Sequence, residues 1–382
     1  MDIAQSIIIR PATSTPEQEE VRRVFRSFLQ EALASLPPRK VNCWNGYNPE
    51  FSRKLGEAGW LGITWPKEYG GRERPQLERF VVLEELLAAG APVSAHWIAE
   101  RQCGPLLMRY GNEALRKQIV PRIAKGELYF CIGLSEPDCG SDLASIRTRA
   151  EKVPDGWVIN GAKVWTSNAA RAHFMSALVR TTPGVESRHA GLSQFVVDMK
   201  TEGLTVRPIR NMVGQSDFAE VVFDNVFVPD SHLIGNEGDG WRQVTTELTF
   251  ERSGPDRYLS STQLMAELLD HADAGEKHHA IELGRAVAEL SNLRAMSRGI
   301  ANMINNGDDP RLATSIVKDA GALHEQRIPE LAHLLFGAEL RPDGDRFIRT
   351  QSFMTQHAIC FSIRGGTREI LRGITAKGLG LR

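Results

Sequence analysis

The sequence predicts an α+β fold in which two helical regions flank a β-domain. Apolar residues recur at helical spacing up to about residue 126 and again from Gly240 onward. Between them, from Tyr129 to about Pro229, short β-branched and aromatic runs are separated by turn residues. Strands without intervening helices indicate a compact antiparallel barrel or sandwich and argue against a Rossmann fold. We therefore predict an all-α domain over residues 1–126, an antiparallel β-domain over 127–235 and a helical domain over 236–382.

Start and stop signals define the amino-terminal helices. Thr15-Pro16-Glu17-Gln18 has the form of a capping box with proline in the first helical position. A buried apolar stripe follows, and Pro37-Pro38 must end this helix. The stripe consists of Val21, Phe25, Phe28, Leu29 and Leu36. Three more helices are predicted over 49–58, 75–87 and 112–123.

One turn-rich segment carries most of the β-domain prediction. Pro154-Asp155-Gly156 and Asn160-Gly161 flank the short run 157–159, and 163–165 follows, a pattern typical of β-hairpins. Further strands are predicted over 174–179, 194–198 and 220–223. Beyond Gly240, Val244 and Leu248 begin a helical pattern that continues through the last region.

Composition and charge narrow the class of protein. The 382 residues are 42% apolar and 24% charged, which is the ordinary globular range. A formal net charge of −1 argues against a nucleic-acid binder, which needs a clustered basic surface. The five cysteines form no C-x-x-C pair, so we predict no metal site and a reduced, cytoplasmic setting. Apolar runs are short, and we expect neither a signal peptide nor a membrane span.

The segment 134–142 joins the first helical region to the β-domain. Its serine hydroxyls and small residues suit a loop that cradles an anionic or carbonyl-rich ligand, although the segment taken alone is more typical of a capped turn. Together with Trp165-Thr166-Ser167-Asn168 and the helix–β–helix order, it closely resembles the acyl-CoA dehydrogenase family. Further matches in the family's order are WPKEYGG at 65–71, LIGNEGDGW at 233–241 after Val228-Pro229, and GTREI at 366–370.

This resemblance implies a flavoprotein with FAD that oxidises an acyl-CoA thioester between Cα and Cβ to the trans-2-enoyl-CoA. It also implies a carboxy-terminal domain of the four-helix-bundle type. The loop would meet the flavin ring, Trp165 would pack on it, and Ser141 would also lie near the thioester; a plain core tryptophan is the alternative for Trp165. The implied cofactor-binding residues are Leu134, Ser135, Gly140, Ser141, Trp165, Thr166, Ser167, Thr367 and Glu369.

The resemblance also assigns the catalytic base, through a departure from the common pattern. Most family members carry a glutamate directly before the carboxy-terminal Gly-Thr, where this chain has Gly365. The isovaleryl- and long-chain-type enzymes carry it on the first helix of the last domain, directly before an arginine; here that pair is Glu251-Arg252. Glu251 is thus the predicted base, Arg252 a substrate-side cation, and Gly365 a main-chain donor to the thioester. A solvated Glu-Arg pair is the alternative, and the loss at residue 365 argues against it.

Two further departures concern sites that the family shares between subunits. The family's Arg-x-x-Phe-Gly-x-Pro motif grips the FAD pyrophosphate of a neighbouring subunit, and this chain has Ala280 in the arginine position. The family's Gln-x-x-Gly-Gly-x-Gly stretch corresponds to 334–340, which reads LLFGAEL. A pyrophosphate without its guanidinium loses a bidentate contact. The chain is therefore similar to the catalytic chains of heterotetrameric acyl-CoA dehydrogenases of bacterial steroid side-chain degradation, and an α2β2 tetramer with a second, related chain is expected.

Other expectations follow from the same resemblance. The partners would be the acyl-CoA substrate and electron-transfer flavoprotein or a similar acceptor. Two alternatives stay open: a non-catalytic assembly partner of a related chain, and an acyl-CoA oxidase or flavin monooxygenase on the same fold. The sequence names no particular acyl group.

Overall fold

The computed structural model describes residues 8–381 apart from 38, 40, 183–186, 253, 274, 338, 339 and 342, and apart from the side chain of Phe250. The chain forms two compact units. Unit 1 comprises Met1–Gly46, Arg74–Pro92 and Glu251–Arg382, and unit 2 comprises Tyr47–Glu73 and Val93–Phe250.

The order of elements follows the helix–β–helix order read from the sequence. The helices are α1 Pro16–Ala34, α2 Pro49–Glu57, α3 Gln76–Ala88, α4 Ser94–Ile98, α5 Gly104–Tyr110, α6 Glu113–Ala124, α7 Gly240–Arg252, α8 Thr262–His271, α9 Lys277–Asn305, α10 Arg311–Phe336, α11 Arg346–His357 and α12 Arg368–Gly378. The strands are β1 Phe130–Gly133, β2 Arg149–Val153, β3 Gly156–Ser167, β4 Phe174–Arg180, β5 Leu192–Asp198, β6 Leu204–Ile209, β7 Phe218–Pro229 and β8 Leu233–Ile234.

Helix α1 begins where its capping signals place it. The Thr15 side chain accepts a hydrogen bond from the Gln18 main chain, and the Gln18 side chain accepts one from the main-chain N–H of Thr15. The helix ends at Ala34, before Pro37. The capping box therefore predicted the start of α1 correctly.

Within unit 1, buried ion pairs join segments that are distant in sequence. Arg22 of α1 donates to Glu84 of α3 at 2.9 Å, and Arg294 of α9 donates to the same carboxylate at 2.9 Å. Glu84 is buried, so its charge needs such partners. One apolar core of the unit lies among the later helices and includes Leu264, Leu268, Ile328, Phe347 and Phe361.

Unit 2 is built on one eight-stranded sheet. The strand order is β6-β7-β3-β2-β4-β5-β8, with β1 paired to β4. Most neighbours are antiparallel, but β1 and β2 pair with β4 in parallel, so the sheet is mixed where the sequence predicted a purely antiparallel one. A parallel pair needs a long connection instead of a hairpin, and that distinction is invisible in strand patterns alone.

One turn prediction was wrong. Asn160-Gly161 does not form a turn, because β3 runs without interruption from Gly156 to Ser167 and its pairing with β7 shifts register between Ile159 and Gly161. Gly161 has φ +143°, and a Cβ there would lie 2.6 Å from the Thr148 hydroxyl. The glycine therefore marks a bulge with a close contact. The preceding turn at Asp155, with φ +63°, does join β2 to β3 as a hairpin.

The sequence patterns did not predict α4, α5, the π-helical turn Ala99–Cys103 between them, or β6. Among the residues that the structure describes, no helix is both long and apolar enough to cross a membrane.

Candidate active site

The predicted site residues fall into two groups, one in each unit. Leu134, Ser135, Gly140, Ser141, Trp165, Thr166 and Ser167 belong to unit 2. Glu251, Arg252, Gly365, Thr367 and Glu369 belong to unit 1. Each group is described within its own unit.

In unit 2, the loop that follows β1 is fixed to strand β3 by a buried ion pair. Lys163 of β3 donates to the Glu136 carboxylate at 2.7 Å and to the Leu134 carbonyl at 3.1 Å. The carbonyl of Ser135 accepts a hydrogen bond from Val164 N–H at 2.9 Å. Both predicted ring-contact residues, Leu134 and Ser135, are thus held beside the strand that carries Trp165.

Trp165 has an unusual main-chain conformation. Its φ is +58°, and the pairing of β3 with β7 shifts register between Lys163 and Thr166. This bulge leaves the Trp165 indole 60% exposed, with one edge against Phe218 at 6.2 Å between ring centroids. A left-handed tryptophan is strained and persists only where the surroundings fix it, often at a functional site. The exposed indole face is available to stack on a planar ring.

The residues that follow Trp165 are polar and lie deeper in the structure than its indole. Thr166 is 1% exposed, and its hydroxyl has no hydrogen-bond partner among the described residues. Ser167 pairs with Phe218 at the end of the strand. Asn168 donates to the Ser94 hydroxyl at 2.8 Å and to the Ser94 carbonyl, fixing the end of the segment.

The far end of the loop is open. A Cβ at Gly140 would meet no atom within 4 Å, and Ser141 is exposed. Next to them, Asp142 accepts a hydrogen bond from the Ser145 hydroxyl at 2.6 Å. The structure therefore brings Trp165, Thr166, Leu134 and Ser135 together firmly and leaves Gly140 and Ser141 accessible.

In unit 1, Glu251 is a buried carboxylate at the carboxyl end of α7. Its side chain is 12% exposed, and Arg257 donates both to its Oε1 and, at 3.1 Å, to its main-chain carbonyl. The other oxygen, Oε2, has no hydrogen-bond partner among the described residues. A solvated Glu-Arg pair on a helix surface would not be enclosed in this way.

The Glu251 carboxylate fills the space that a side chain at residue 365 would occupy. A Cβ at residue 365 would lie 2.5 Å from Glu251 Oε2, and the φ of Gly365 is +66°. Glycine is therefore the residue that leaves room for the carboxylate. The family resemblance indicates that the glutamate common at position 365 is replaced here by a glutamate at position 251. In the structure, a side chain at residue 365 would overlap the Glu251 carboxylate.

Arg252 contacts the same turn. Its Nε donates to the Gly365 carbonyl at 2.8 Å, and burial lowers the pKa of its guanidinium. Thr367 is the N-cap of α12, with its hydroxyl accepting from Ile370 N–H at 3.4 Å, and Glu369 is exposed in the first turn. The structure thus brings Glu251, Arg252 and Gly365 into one cluster, with Thr367 two residues further along the chain.

The positions that the family resemblance associates with neighbouring subunits belong to unit 1, and two of them are exposed. Ala280 is exposed in the first turn of α9, and Leu334, on α10, is 63% exposed. Ala338 and Glu339 of the 334–340 stretch lie outside the described residues.

Sequence reasoning missed four residues that organise these groups. Glu136 and Lys163 fix the loop, Arg257 holds the Glu251 carboxylate, and Lys318 of α10 donates to the Gly366 carbonyl at 2.9 Å. The only available signal was a charge inside an otherwise apolar stretch, as with Lys163 between Ala162 and Val164. Such a charge does not reveal its partner, because the partner is far away in the sequence or belongs to another structural element.

Comparison with known proteins now identifies the class. Three family models cover nearly the whole chain: the acyl-CoA dehydrogenase N-terminal domain over residues 15–127, the middle domain over 131–226 and the C-terminal domain over 238–380. The chain therefore belongs to the acyl-CoA dehydrogenase family and has its three-domain fold. It is an enzyme of the FAD-dependent oxidoreductase class.

Individual relatives agree with this assignment. The chain is 37% identical to "Acyl-CoA dehydrogenase FadE26" of Mycobacterium tuberculosis over 96% of its own length and 98% of the relative's. A solved structure described as "Tcur3481-Tcur3483 steroid ACAD" superposes with a TM-score of 0.87 at 27% identity, covering 100% of this chain and 99% of that one. The ChsE4-ChsE5 complex from Mycobacterium tuberculosis matches with a TM-score of 0.84 at 30% identity, covering 98% of this chain and 100% of that one.

Proposed function

We propose that this chain is a catalytic acyl-CoA dehydrogenase subunit in which Glu251 is the base that removes the α-proton of an acyl-CoA thioester. The observation that carries the proposal is that a Cβ at residue 365 would lie only 2.5 Å from Glu251 Oε2. A base at residue 365 would have no room beside Glu251, and the glycine that replaces it admits the carboxylate. A non-catalytic assembly partner would have no need of this arrangement.

The residues present fit a flavin cofactor. The Trp165 indole offers an exposed aromatic face, and the buried Thr166 hydroxyl beside it lacks a partner among the described residues. These features suit a planar heterocycle with hydrogen-bonding edges. By the family resemblance, the other proposed cofactor contacts are Leu134, Ser135, Gly140, Ser141, Ser167, Thr367 and Glu369. When bound, FAD would supply the acceptor for the hydride that leaves Cβ.

In the proposed mechanism, this chain's residues handle the proton and the developing negative charge. Glu251 takes the α-proton on Oε2 while Arg257 holds Oε1, so the Cα–H bond breaks in a fixed direction. The main-chain N–H of Gly365 donates to the thioester oxygen as enolate charge develops there. Loss of the proton from Cα and of hydride from Cβ leaves the Cα–Cβ double bond of the enoyl-CoA. Arg252 holds the Gly365 carbonyl and so keeps this turn in place.

We further propose a bulky acyl group of steroid origin and an α2β2 assembly with a related chain. Support comes from the relatives described as a steroid acyl-CoA dehydrogenase and as a two-protein complex, and from the alanine at residue 280. Electrons would pass on to an electron-transfer flavoprotein or a similar acceptor. We also propose domain boundaries of 1–126, 127–235 and 236–382. A cytoplasmic location is proposed because the five cysteines are free thiols.

The test is the substitution Glu251→Gln, which keeps the shape of the side chain and removes its basicity. We expect the yellow protein to retain FAD and to lose anaerobic bleaching of the flavin by acyl-CoA by about 10³-fold or more, the scale of a general base combined with its positioning. Glu276→Gln, at the exposed N-cap of α9, is the matched control and should bleach like the unmodified protein. Bleaching of the Glu251→Gln protein at a near-normal rate would refute the assignment.

A further inference from the structure

Lys318 is a buried cation that the reaction just described does not use. It lies on α10 with 1% of its surface exposed. Its ammonium donates to the Gly366 carbonyl at 2.9 Å and to the Phe361 carbonyl at 3.3 Å. Both acceptors are main-chain groups, one at each end of the segment 361–366.

That segment has a conformation that needs external support. Gly365 and Gly366 are both left-handed, with φ of +66° and +100°. Left-handed glycines keep access to many other conformations, so two in succession make a flexible turn unless contacts hold it. Arg252 holds the Gly365 carbonyl at 2.8 Å, and Lys318 holds the next carbonyl. Two cations therefore grip two consecutive carbonyls.

Because peptide groups are planar, holding the two carbonyls also fixes the direction of the N–H groups that follow them. In a trans peptide the C=O and the following N–H point to opposite sides. The N–H of Gly366 therefore points away from Arg252, and the N–H of Thr367 points away from Lys318. A charged donor on the carbonyl polarises the peptide and strengthens its N–H as a donor. The turn thus directs strengthened N–H groups away from the two cations, as anion-binding turns do.

A buried lysine is costly to keep. Burial, followed by the nearby charge of Arg257, lowers the pKa of Lys318 to about 7. The other charges that act on it are Glu251, Arg364 and Glu325, and Arg364 itself donates to Glu325 at 3.0 Å. An apolar side chain of similar length would avoid this cost, so the position of the ammonium points to a role in holding the turn.

We propose that Lys318 is a positioning residue whose ammonium, held by the carbonyls of Phe361 and Gly366, fixes the turn 361–366 and so holds Gly365 against the proposed base Glu251. The importance of Lys318 for catalysis rests on the proposed function. Its effect on the conformation of the turn does not depend on that function. When Lys318 loses its proton, its hydrogen bonds to the carbonyls are no longer charge-assisted and the turn loosens.

The experiment compares main-chain hydrogen exchange in the FAD-loaded protein, purified with its partner chain where one is needed. In Lys318→Met, the amides of 361–367 should exchange roughly ten-fold faster than in the unmodified protein at pH 6, the effect of losing a charge-assisted hydrogen bond. The ratio should shrink toward one at pH 9, where Lys318 of the unmodified protein is neutral. Lys277→Met, at the exposed start of α9, is the matched control and should leave these amides unchanged.

A second measurement needs no variant. In the unmodified protein, exchange at 361–367 should rise between pH 6 and pH 9 by more than the intrinsic base-catalysed increase, judged against α9 in the same sample. Equal protection in Lys318→Met and unmodified protein at pH 6, or no excess rise with pH, overturns the proposal. Neither readout requires Glu251, so a failure of the base assignment would appear in the Glu251→Gln bleaching experiment and leave this result unaffected.

Discussion

At the scale of single residues, the pairing of Glu251 with Gly365 is the most informative feature of this chain. The carboxylate lies where a side chain at residue 365 would have to begin, 2.5 Å from its Cβ position. Arg257 fixes one carboxylate oxygen and leaves the other without a partner among the described residues. A single methyl group at residue 365 should therefore displace the Glu251 carboxylate, the proposed base, and disturb the turn.

The substitution Gly365→Ala tests this prediction. We expect it to lower the free energy of unfolding by about 1–3 kcal/mol, since alanine is strained at φ +66°. It should also slow flavin bleaching by roughly ten-fold to a hundred-fold, since the Glu251 carboxylate must move. Urea unfolding and anaerobic stopped-flow absorbance measure the two effects.

Gly373→Ala is the matched control for that substitution. Gly373 lies within α12, and a Cβ there would meet no atom within 4 Å. Alanine should stabilise the helix by about 0.5–1 kcal/mol and leave bleaching unchanged. Equal stability and equal bleaching of the Gly365→Ala and unmodified proteins would show that residue 365 does not constrain the base.

Some of the site could be predicted at this scale and some could not. Glu251 was proposed as the base because the family resemblance supplied two alternative positions and residue 365 held a glycine. Lys318 gave no such signal, since one lysine in a helical pattern is ordinarily solvated. Trp165 was predicted as a stacking residue, but its left-handed φ arises from the shift in β3–β7 pairing, which is a long-range property.

At the scale of elements, the buried ion pair between Glu136 and Lys163 joins the loop after β1 to strand β3. Lys163 is fully buried, and the Glu136 carboxylate also accepts from the main-chain N–H groups of Arg147 at 2.7 Å and Thr148 at 3.0 Å. Burial by itself raises the pKa of Glu136, but Lys163 and these N–H groups outweigh it and leave the pKa below its ordinary value. Burial lowers the pKa of Lys163, with Glu136 opposing that change.

Glu136→Gln should cost about 3–5 kcal/mol of folding free energy, because it leaves the Lys163 ammonium buried without an opposite charge. The contribution of the ionised Glu136 should be complete above its unfolded pKa near 4.5 and fall as the pH drops through its lower folded value. Urea unfolding between pH 3 and pH 7 measures both effects.

An exposed ion pair provides the comparison for Glu136→Gln. Lys152 and Asp230 form an ion pair with half of each side chain exposed, and Asp230→Asn should cost about 0–1 kcal/mol. A Glu136→Gln protein as stable as Asp230→Asn would contradict the structural role of the buried pair.

Elements with strong local signals were predicted well. The capping box of Thr15 set the start of α1, and the turn at Asp155 set the β2–β3 hairpin. Asn160-Gly161 carries an equally strong turn signal, yet the chain continues as a strand, because Gly161 is used for a close contact with Thr148. Local patterns cannot distinguish a glycine that turns the chain from one that admits a neighbour.

At the scale of the whole molecule, we expect this chain to hold FAD poorly by itself. By the family resemblance, Ala280 stands in the position of an arginine that would bind the FAD of a neighbouring subunit. A second chain that supplies this cation would complete the site. The chain as a whole carries no excess of basic residues, with 46 basic and 47 acidic.

The substitution Ala280→Arg tests whether the missing guanidinium limits cofactor binding. Expressed without a partner, the Ala280→Arg protein should contain roughly ten-fold more FAD at limiting cofactor concentration, the effect of one charge-assisted bidentate contact. Ala280→Lys is the control, with the same charge but no bidentate geometry, and should gain less. FAD absorbance per chain, with molar mass measured by light scattering, gives the result. A homotetramer of the unmodified chain with full FAD occupancy would contradict the prediction.

The way unit 1 is assembled has a consequence for biosynthesis. Glu84 is buried between Arg22 and Arg294, and Arg294 follows Glu84 by 210 residues in the chain. At about 5–20 residues per second, the ribosome needs roughly 10–40 s to make that length, and during this time α1 and α3 lack their final partner. Until α9 is made, the nascent chain would leave Glu84 without Arg294 and the side of α3 that contacts α9 uncovered, so it would be a substrate for chaperones that bind emerging polypeptides.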